Sequence, residues 1–246
     1  MEFGRFIWIH DKSQFYTVYQ AGFFGKGALS RSEPTWFKRT EQQSELSLED
    51  LTVERRKQRR QKKQKSPIIE HTDALTANEL REITNEKDVE MCQLDMYEAY
   101  FLLYALNVLE IRTMKQDKLS IKECWTTFCQ YDASFALNYA VYHYYRSLGW
   151  VPKNGTKFGV DFVLYQLGPS FRHADYAVKI VPHYPNEQQE TPQKWSWLLG
   201  LNRICTQVKK TLLLCHVFIP HDTNDLQQYK IREVIFKRWS PQKNRE

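Results

Sequence analysis

The sequence predicts an α+β fold in which a small helical N-terminal region precedes a C-terminal domain built on a mixed β-sheet flanked by helices. Three observations carry this. From residue 91 to about residue 148 apolar residues recur every three or four positions, the spacing of one helix face. From residue 159 onward, short apolar runs bounded by turn residues alternate with one helical stretch, as strands and a crossover do. With 246 residues, 42% hydrophobic and 14% aromatic, the chain can bury a core of its own.

Taken in order, residues 1–37 alternate apolar and polar side chains around Phe6-Ile7-Trp8-Ile9 and Phe15-Tyr16-Thr17-Val18-Tyr19, which predicts two short strands packing on the core. The cluster Gly22-Phe23-Phe24-Gly25-Lys26-Gly27 lacks phosphate-loop spacing and reads as a turn with packed aromatics. Residues 38–90 are rich in Glu, Gln, Lys, Arg and Ser with few apolar anchors, so a partly disordered basic linker is expected. In a helical domain over 91–155, Tyr97, Tyr100, Phe101, Tyr104, Val108 and Ile111 predict a first, strongly apolar helix. Ser120 and Glu123 form a capping box for a second, and Asp132 is placed to cap a third that runs to Leu148 and stops at Gly149. Asn154-Gly155 then predicts a tight hairpin. The last domain, 156–246, is expected to hold strands at 159–166, 172–181, 211–219 and 229–237, with a helix from Trp195 to about Lys209 between the second and third.

Charge and cysteine usage narrow the function. The net charge of +6 is concentrated in Arg55–Lys65, where eight basic residues occur without an acid; elsewhere 27 basic residues face 29 acidic ones. This run suits a nuclear address, an RNA-attracting arm or a solvated tether. Cys92, Cys124, Cys129, Cys205 and Cys215 are scattered, with no Cys-x-x-Cys pair and no histidines at zinc spacing, so reduced thiols and neither metal nor cofactor are expected. Apolar runs fall short of the roughly 18 residues of a membrane helix, and the start does not lead into a signal-peptide segment.

RNA can be cut without a metal when its own 2′-hydroxyl attacks the neighbouring phosphorus. The protein then supplies a base, an acid and a cation. Tyr165 closes the apolar run Asp161-Phe162-Val163-Leu164-Tyr165 before Gly168-Pro169, His173 is expected to begin the next strand, and Lys210 stands where a helix gives way to Thr211-Leu212-Leu213-Leu214-Cys215. Spacing alone does not single these three out.

A wider pattern does. Tyr142-His143-Tyr144-Tyr145-Arg146-Ser147-Leu148-Gly149-Trp150-Val151-Pro152-Lys153, continuing through Gly155-Thr156-Lys157-Phe158-Gly159-Val160-Asp161-Phe162, Leu164-Tyr165, Gly168-Pro169-Ser170-Phe171, His173-Ala174 and Tyr176, resembles the signature of tRNA-splicing endonuclease catalytic domains. Within that family the likeness is greatest to the eukaryotic subunit assigned to the upstream exon-intron junction. It extends to Gly22–Gly27 with Leu29-Ser30-Arg31-Ser32, to Tyr97–Leu102, and to Glu233-Val234-Ile235 with Arg238-Trp239.

The resemblance implies metal-independent cleavage of precursor tRNA at the 5′ splice site, leaving 2′,3′-cyclic phosphate and 5′-hydroxyl ends. Tyr165 would act as general base, His173 as general acid, and Lys210 would stabilise the phosphorane charge. Lys210 is preferred to Lys209 because the family lysine immediately precedes the residue opening the Leu-rich strand. Arg203 and Trp239 match positions that hold a flipped intron base between guanidinium and indole. The implied partners are a second catalytic subunit and two structural ones in a heterotetramer, in the nucleus or on the cytosolic face of mitochondria. Two other readings stand beside this one. A winged-helix nucleic-acid module could use Arg146, Lys153 and Lys157 on phosphates, although the helix over 134–148 is too aromatic to be a reading helix. A non-catalytic RNA-binding or assembly subunit of the same fold would be expected to lack one of the three active groups.

Overall fold

A computed structural model describes residues 6–29, 91–113, 115–185 and 194–237. The linker, the basic run and Trp239 lie outside these described residues. The chain divides into two compact units, Met1–Leu119 and Ser120–Glu246. The division falls well before residue 155, so the two helices and the strand between Ser120 and Asn154 group with the C-terminal sheet.

In the first unit, β1 (Phe6–Ile9) and β2 (Lys26–Gly27) flank β3 (Cys92–Asp95), both antiparallel to it. The second predicted strand is instead helix α1 (Lys12–Gly22). Its start is set by Asp11, whose carboxylate accepts from the Ser13 backbone N–H at 2.8 Å. Phe15, Tyr16 and Tyr19 are all buried, which fits one face of a helix, whereas a strand covered on one side would bury only alternate residues. The glycine cluster is a packed turn: Phe24 stacks on Phe101 at 6.0 Å, and Gly25 (φ 78°) leaves room for Phe15, which a Cβ would meet at 2.7 Å.

The long helix predicted from residue 91 is also corrected. Cys92–Asp95 is strand, α2 covers only Met96–Tyr100, and one π-helical turn follows over Phe101–Ala105. The chain then leaves helical geometry at Asn107, whose φ is 52°, and Val108 is exposed. Hydrophobic spacing continued past the point where the backbone stopped following it.

The second unit is a five-stranded sheet in the order β4 (Val151–Asn154), β5 (Phe162–Tyr165), β6 (Tyr176–His183), β7 (Thr211–Phe218), β8 (Lys230–Phe236). All neighbours are antiparallel except β6 and β7, which run parallel and are joined by helix α5 (Trp195–Gln207). Helix α3 (Ile121–Tyr131) begins at the predicted Ser120–Glu123 capping box. Helix α4 (Phe135–Ser147) has Ser134 at its N-cap, with the Asp132 carboxylate accepting from that serine's N–H and hydroxyl, and ends before Gly149 (φ 84°). Phe135, Tyr139, Val141, Tyr142 and Tyr145 on α4 are buried, and the Tyr142 ring meets Phe162 of β5. This helix is scaffold, as its composition suggested.

On the other face, Leu201 and Cys205 of α5 pack with Val163, Ala177, Leu212 and Leu214. The Asn154-Gly155 hairpin is wider than predicted: Asn154 pairs with Phe162, so residues 155–161 form the connection, and its left-handed residue is Gly159 (φ 72°), not Gly155. A 3-10 turn over Thr156–Phe158 fills the loop, pinned by Thr156 donating to the Asn154 amide oxygen.

Candidate active site

Backbone hydrogen bonds place the three predicted groups at one end of this sheet. The Asp175 N–H donates to the Leu164 carbonyl at 3.0 Å, and the Asp175 carbonyl accepts from the Thr211 N–H at 3.0 Å. Leu164 precedes Tyr165, Asp175 lies two residues after His173, and Thr211 follows Lys210. One line of bonds therefore ties the three strand ends together. With strands about 4.8 Å apart, the Tyr165 and Lys210 backbones lie two spacings, roughly 10 Å, from each other, a gap that a phenol and a lysine side chain can close.

Tyr165 is the last residue of β5, half-buried on the α5 face, where it packs against the Val163–Leu212 cluster together with Phe158. Burial pushes its phenol above the ordinary 10.0. The expectation that His173 begins a strand is corrected, because β6 starts at Tyr176 and His173 sits in the loop, exposed. Gly168 (φ 94°) turns that loop, and its carbonyl accepts from the N–H groups of Phe171 and Arg172. A strand would have aimed His173 at one sheet face. The loop leaves it open to solvent at the sheet's end.

Lys210 is placed by the end of α5. Lys209 takes φ 56°, its N–H donates to the Thr206 carbonyl at 3.0 Å, and the Lys210 N–H donates to the Cys205 carbonyl at 2.9 Å. This is the double bond pattern of a Schellman terminator, with Lys209 in the position glycine usually holds. Lys209 is thereby exposed and Lys210 turned inward. The Lys210 ammonium donates to the Ala174 carbonyl at 3.2 Å and lies 5.1 Å from the centre of the Phe158 ring. Burial lowers the Lys210 pKa below the ordinary 10.5, while the Asp175 carboxylate works in the opposite direction. Since Ala174 adjoins His173, the cation stands beside the histidine's own backbone.

Arg203 lies on α5, exposed, seven residues before Lys210. Its expected counterpart Trp239 is outside the described residues. All five cysteines are free thiols, and among the described residues no group of three or more His, Cys, Asp and Glu side chains is placed to hold a metal ion. Among the same residues no helix is long and apolar enough to cross a membrane.

Two contributors escaped the sequence reading. Phe158 stands in the sequence only within the family-like stretch, with no role at the site, and Asp175 lies between the named His173-Ala174 and Tyr176. Strand alternation would have put Asp175 beside Tyr165, had the register been known. Around the sheet's end from Tyr165, Trp150, Gln166, Arg172, Asp175, Tyr176 and Lys209 line an open cavity of about 450 Å³.

Known proteins resemble this chain over most of its length. A family model described as tRNA intron endonuclease, catalytic C-terminal domain, matches residues 135–228. The chain is 32% identical to the probable tRNA-splicing endonuclease subunit sen2 of Schizosaccharomyces pombe, over 97% of this chain and 84% of the relative. It is 28% identical to subunit SEN2 of Saccharomyces cerevisiae, over 98% of this chain and 83% of that one. Against subunit Sen2 of Gallus gallus the identity is 38% over 63% of this chain, which spans only 36% of the chicken protein's length.

Proposed function

The chain belongs to the tRNA-splicing endonuclease family and carries its catalytic domain, an endoribonuclease domain, and from that premise we propose that it cuts precursor tRNA at the 5′ splice site through Tyr165, His173 and Lys210. The observation that supports the proposal is the bond line Leu164–Asp175–Thr211, which brings the backbone next to Tyr165, His173 and Lys210 to one end of the sheet.

In this reading Tyr165 withdraws the proton from the 2′-hydroxyl as its oxygen bonds to phosphorus. His173, unencumbered in its loop, gives a proton to the departing 5′-oxygen, so the products are a 2′,3′-cyclic phosphate and a 5′-hydroxyl. Lys210 faces the charge that builds on the phosphorane oxygens. No step needs a metal. Arg203 and Trp239 are assigned to a stacked intron base, where stacking contributes about 1–3 kcal/mol. Partner subunits, one catalytic and two structural, complete a heterotetramer. Strand β8 closes the sheet with Val234 and Ile235 exposed, which supports a partner pairing there. The nucleus is the proposed compartment.

The test is His173→Ala in the reconstituted endonuclease with precursor tRNA in EDTA. The upstream junction should be cut about 10²- to 10⁴-fold more slowly while the downstream junction is cut normally. Unchanged cleavage at both junctions would instead mark the chain as an assembly subunit.

A further inference from the structure

The cavity beside the proposed active centre has a composition of its own. Strand alternation puts two of its lining residues, Tyr176 and its pair Thr211, on the face opposite Tyr165, while Asp175 reaches it from the Tyr165 side across the sheet's end. Its floor is aromatic. The Trp150 ring meets Tyr176 edge to face, with centres 5.5 Å apart and planes at 89°, so each ring fixes the other's orientation. Its rim is cationic. Arg172 donates through one nitrogen to the Gln166 amide oxygen at 3.0 Å, which steadies a guanidinium with further N–H groups to offer. Lys209, exposed by its left-handed backbone, also lines the cavity. Asp175 supplies an acceptor, and because its carbonyl accepts from the Thr211 N–H while the adjacent Ala174 carbonyl accepts from Lys210, the cavity and the proposed centre share a wall.

An aromatic floor, two cations at the rim and a lone carboxylate and amide match the parts of a single nucleotide: a π face, a phosphate and a hydrogen-bonding base edge. The volume of about 450 Å³ falls in the range of small-ligand sites, about 300–1,000 Å³. We infer that this cavity receives one unpaired nucleotide of the RNA strand adjoining the cut, its base on Trp150 and its phosphate between Arg172 and Lys209. The strand therefore bends over the end of the sheet, with the scissile phosphate on the Tyr165 side and its neighbour on the Trp150 side. The inference rests on the cleavage reading above.

The experiment uses the assembled endonuclease and a precursor tRNA whose nucleotide at the upstream cut carries 2′-deoxyribose, so that it binds without being cleaved there. Arg172→Gln and Lys209→Gln change exposed side chains and leave the core intact. Each should weaken binding roughly tenfold and lower the slope of log affinity against log salt by about 0.7, the value of one phosphate contact on a single strand. Removing the base next to the cut should weaken the normal enzyme about fivefold or more, and the Trp150→Leu enzyme scarcely at all. Unchanged affinity and salt slope in the Arg172→Gln/Lys209→Gln double variant would overturn the inference. So would a loss of subunit assembly in that variant with RNA binding intact, which would make the cavity a protein contact. His173→Ala separates the two ideas: if it abolishes upstream cutting while the double variant binds normally, only the cavity assignment fails, and if it cuts normally the cleavage reading fails first.

Discussion

Burial acts in opposite directions on Tyr165 and Lys210, raising the phenol and lowering the ammonium. The proposed reaction needs the phenol's proton removed and the ammonium's retained, so pH affects the two requirements oppositely. Because His173 must also keep its proton, the two groups are read in a His173→Ala background, where cleavage should rise with pH across the neutral range as Tyr165 becomes a better base. It should fall on the alkaline side, earlier than an ordinary lysine would dictate, as Lys210 loses its charge. A guanidinium stays charged throughout, so Lys210→Arg should keep the rising limb and lose the falling one, at a lower maximum because the fork does not fit the Ala174 carbonyl as an ammonium does. Single-turnover rates between pH 6 and 10 would check this, and an unaltered falling limb would remove Lys210 from the chemistry. At this scale the residue types were legible in the sequence because they stand in motifs. Their environments were not: the ring of Phe158 under the ammonium and the carboxylate of Asp175 beside it come from chain segments that only the folded register brings together.

Among the elements, those with their own end signals were legible. The Ser120–Glu123 box, Gly149 and the Leu-rich strand after Lys210 appear close to where the sequence put them. Elements defined by side-chain spacing alone were misjudged. Phe15 to Tyr19 suits a strand or a helix until Asp11 caps it, and the aromatic series after Met96 runs on beyond the helix that carries it. The Asn154-Gly155 turn failed for a different reason: Gly155 serves packing, not conformation. Its φ is −101°, and a Cβ there would approach the Val160 side chain at 2.6 Å and the Val160 carbonyl oxygen at 2.9 Å. Gly155→Ala should accordingly destabilise the protein by about 1–3 kcal/mol through crowding. Ser120→Ala should cost about 1 kcal/mol by removing an N-cap. Urea unfolding followed by circular dichroism would rank them; a neutral Gly155→Ala would show that the 155–161 connection yields easily.

For the whole molecule, the mixed sheet was anticipated but its strand order was not, because order depends on pairings between segments far apart in sequence. The same holds for the boundary at residue 119: the aromatic face of α4 finds its partner in β5, a relation no local pattern announces. Charge is the property of the whole that sequence reports directly. Replacing the eight basic residues of Arg55–Lys65 with Gln turns the net charge from +6 to −2. In the assembled enzyme this should flatten the salt dependence of precursor tRNA binding and leave the single-turnover cleavage rate at saturating RNA unchanged. Equal salt slopes would assign the run to transport or tethering.

The bond from the Lys210 ammonium to the Ala174 carbonyl bridges β7 to the loop leading into β6. A cation moored in this way works as a gauge of the seam between the parallel strands. Warming or mutation that lets the seam part by even an ångström would carry the charge out of range of the phosphate while the sheet still stood. On the proposed chemistry, activity would then be lost below the temperature at which the fold melts.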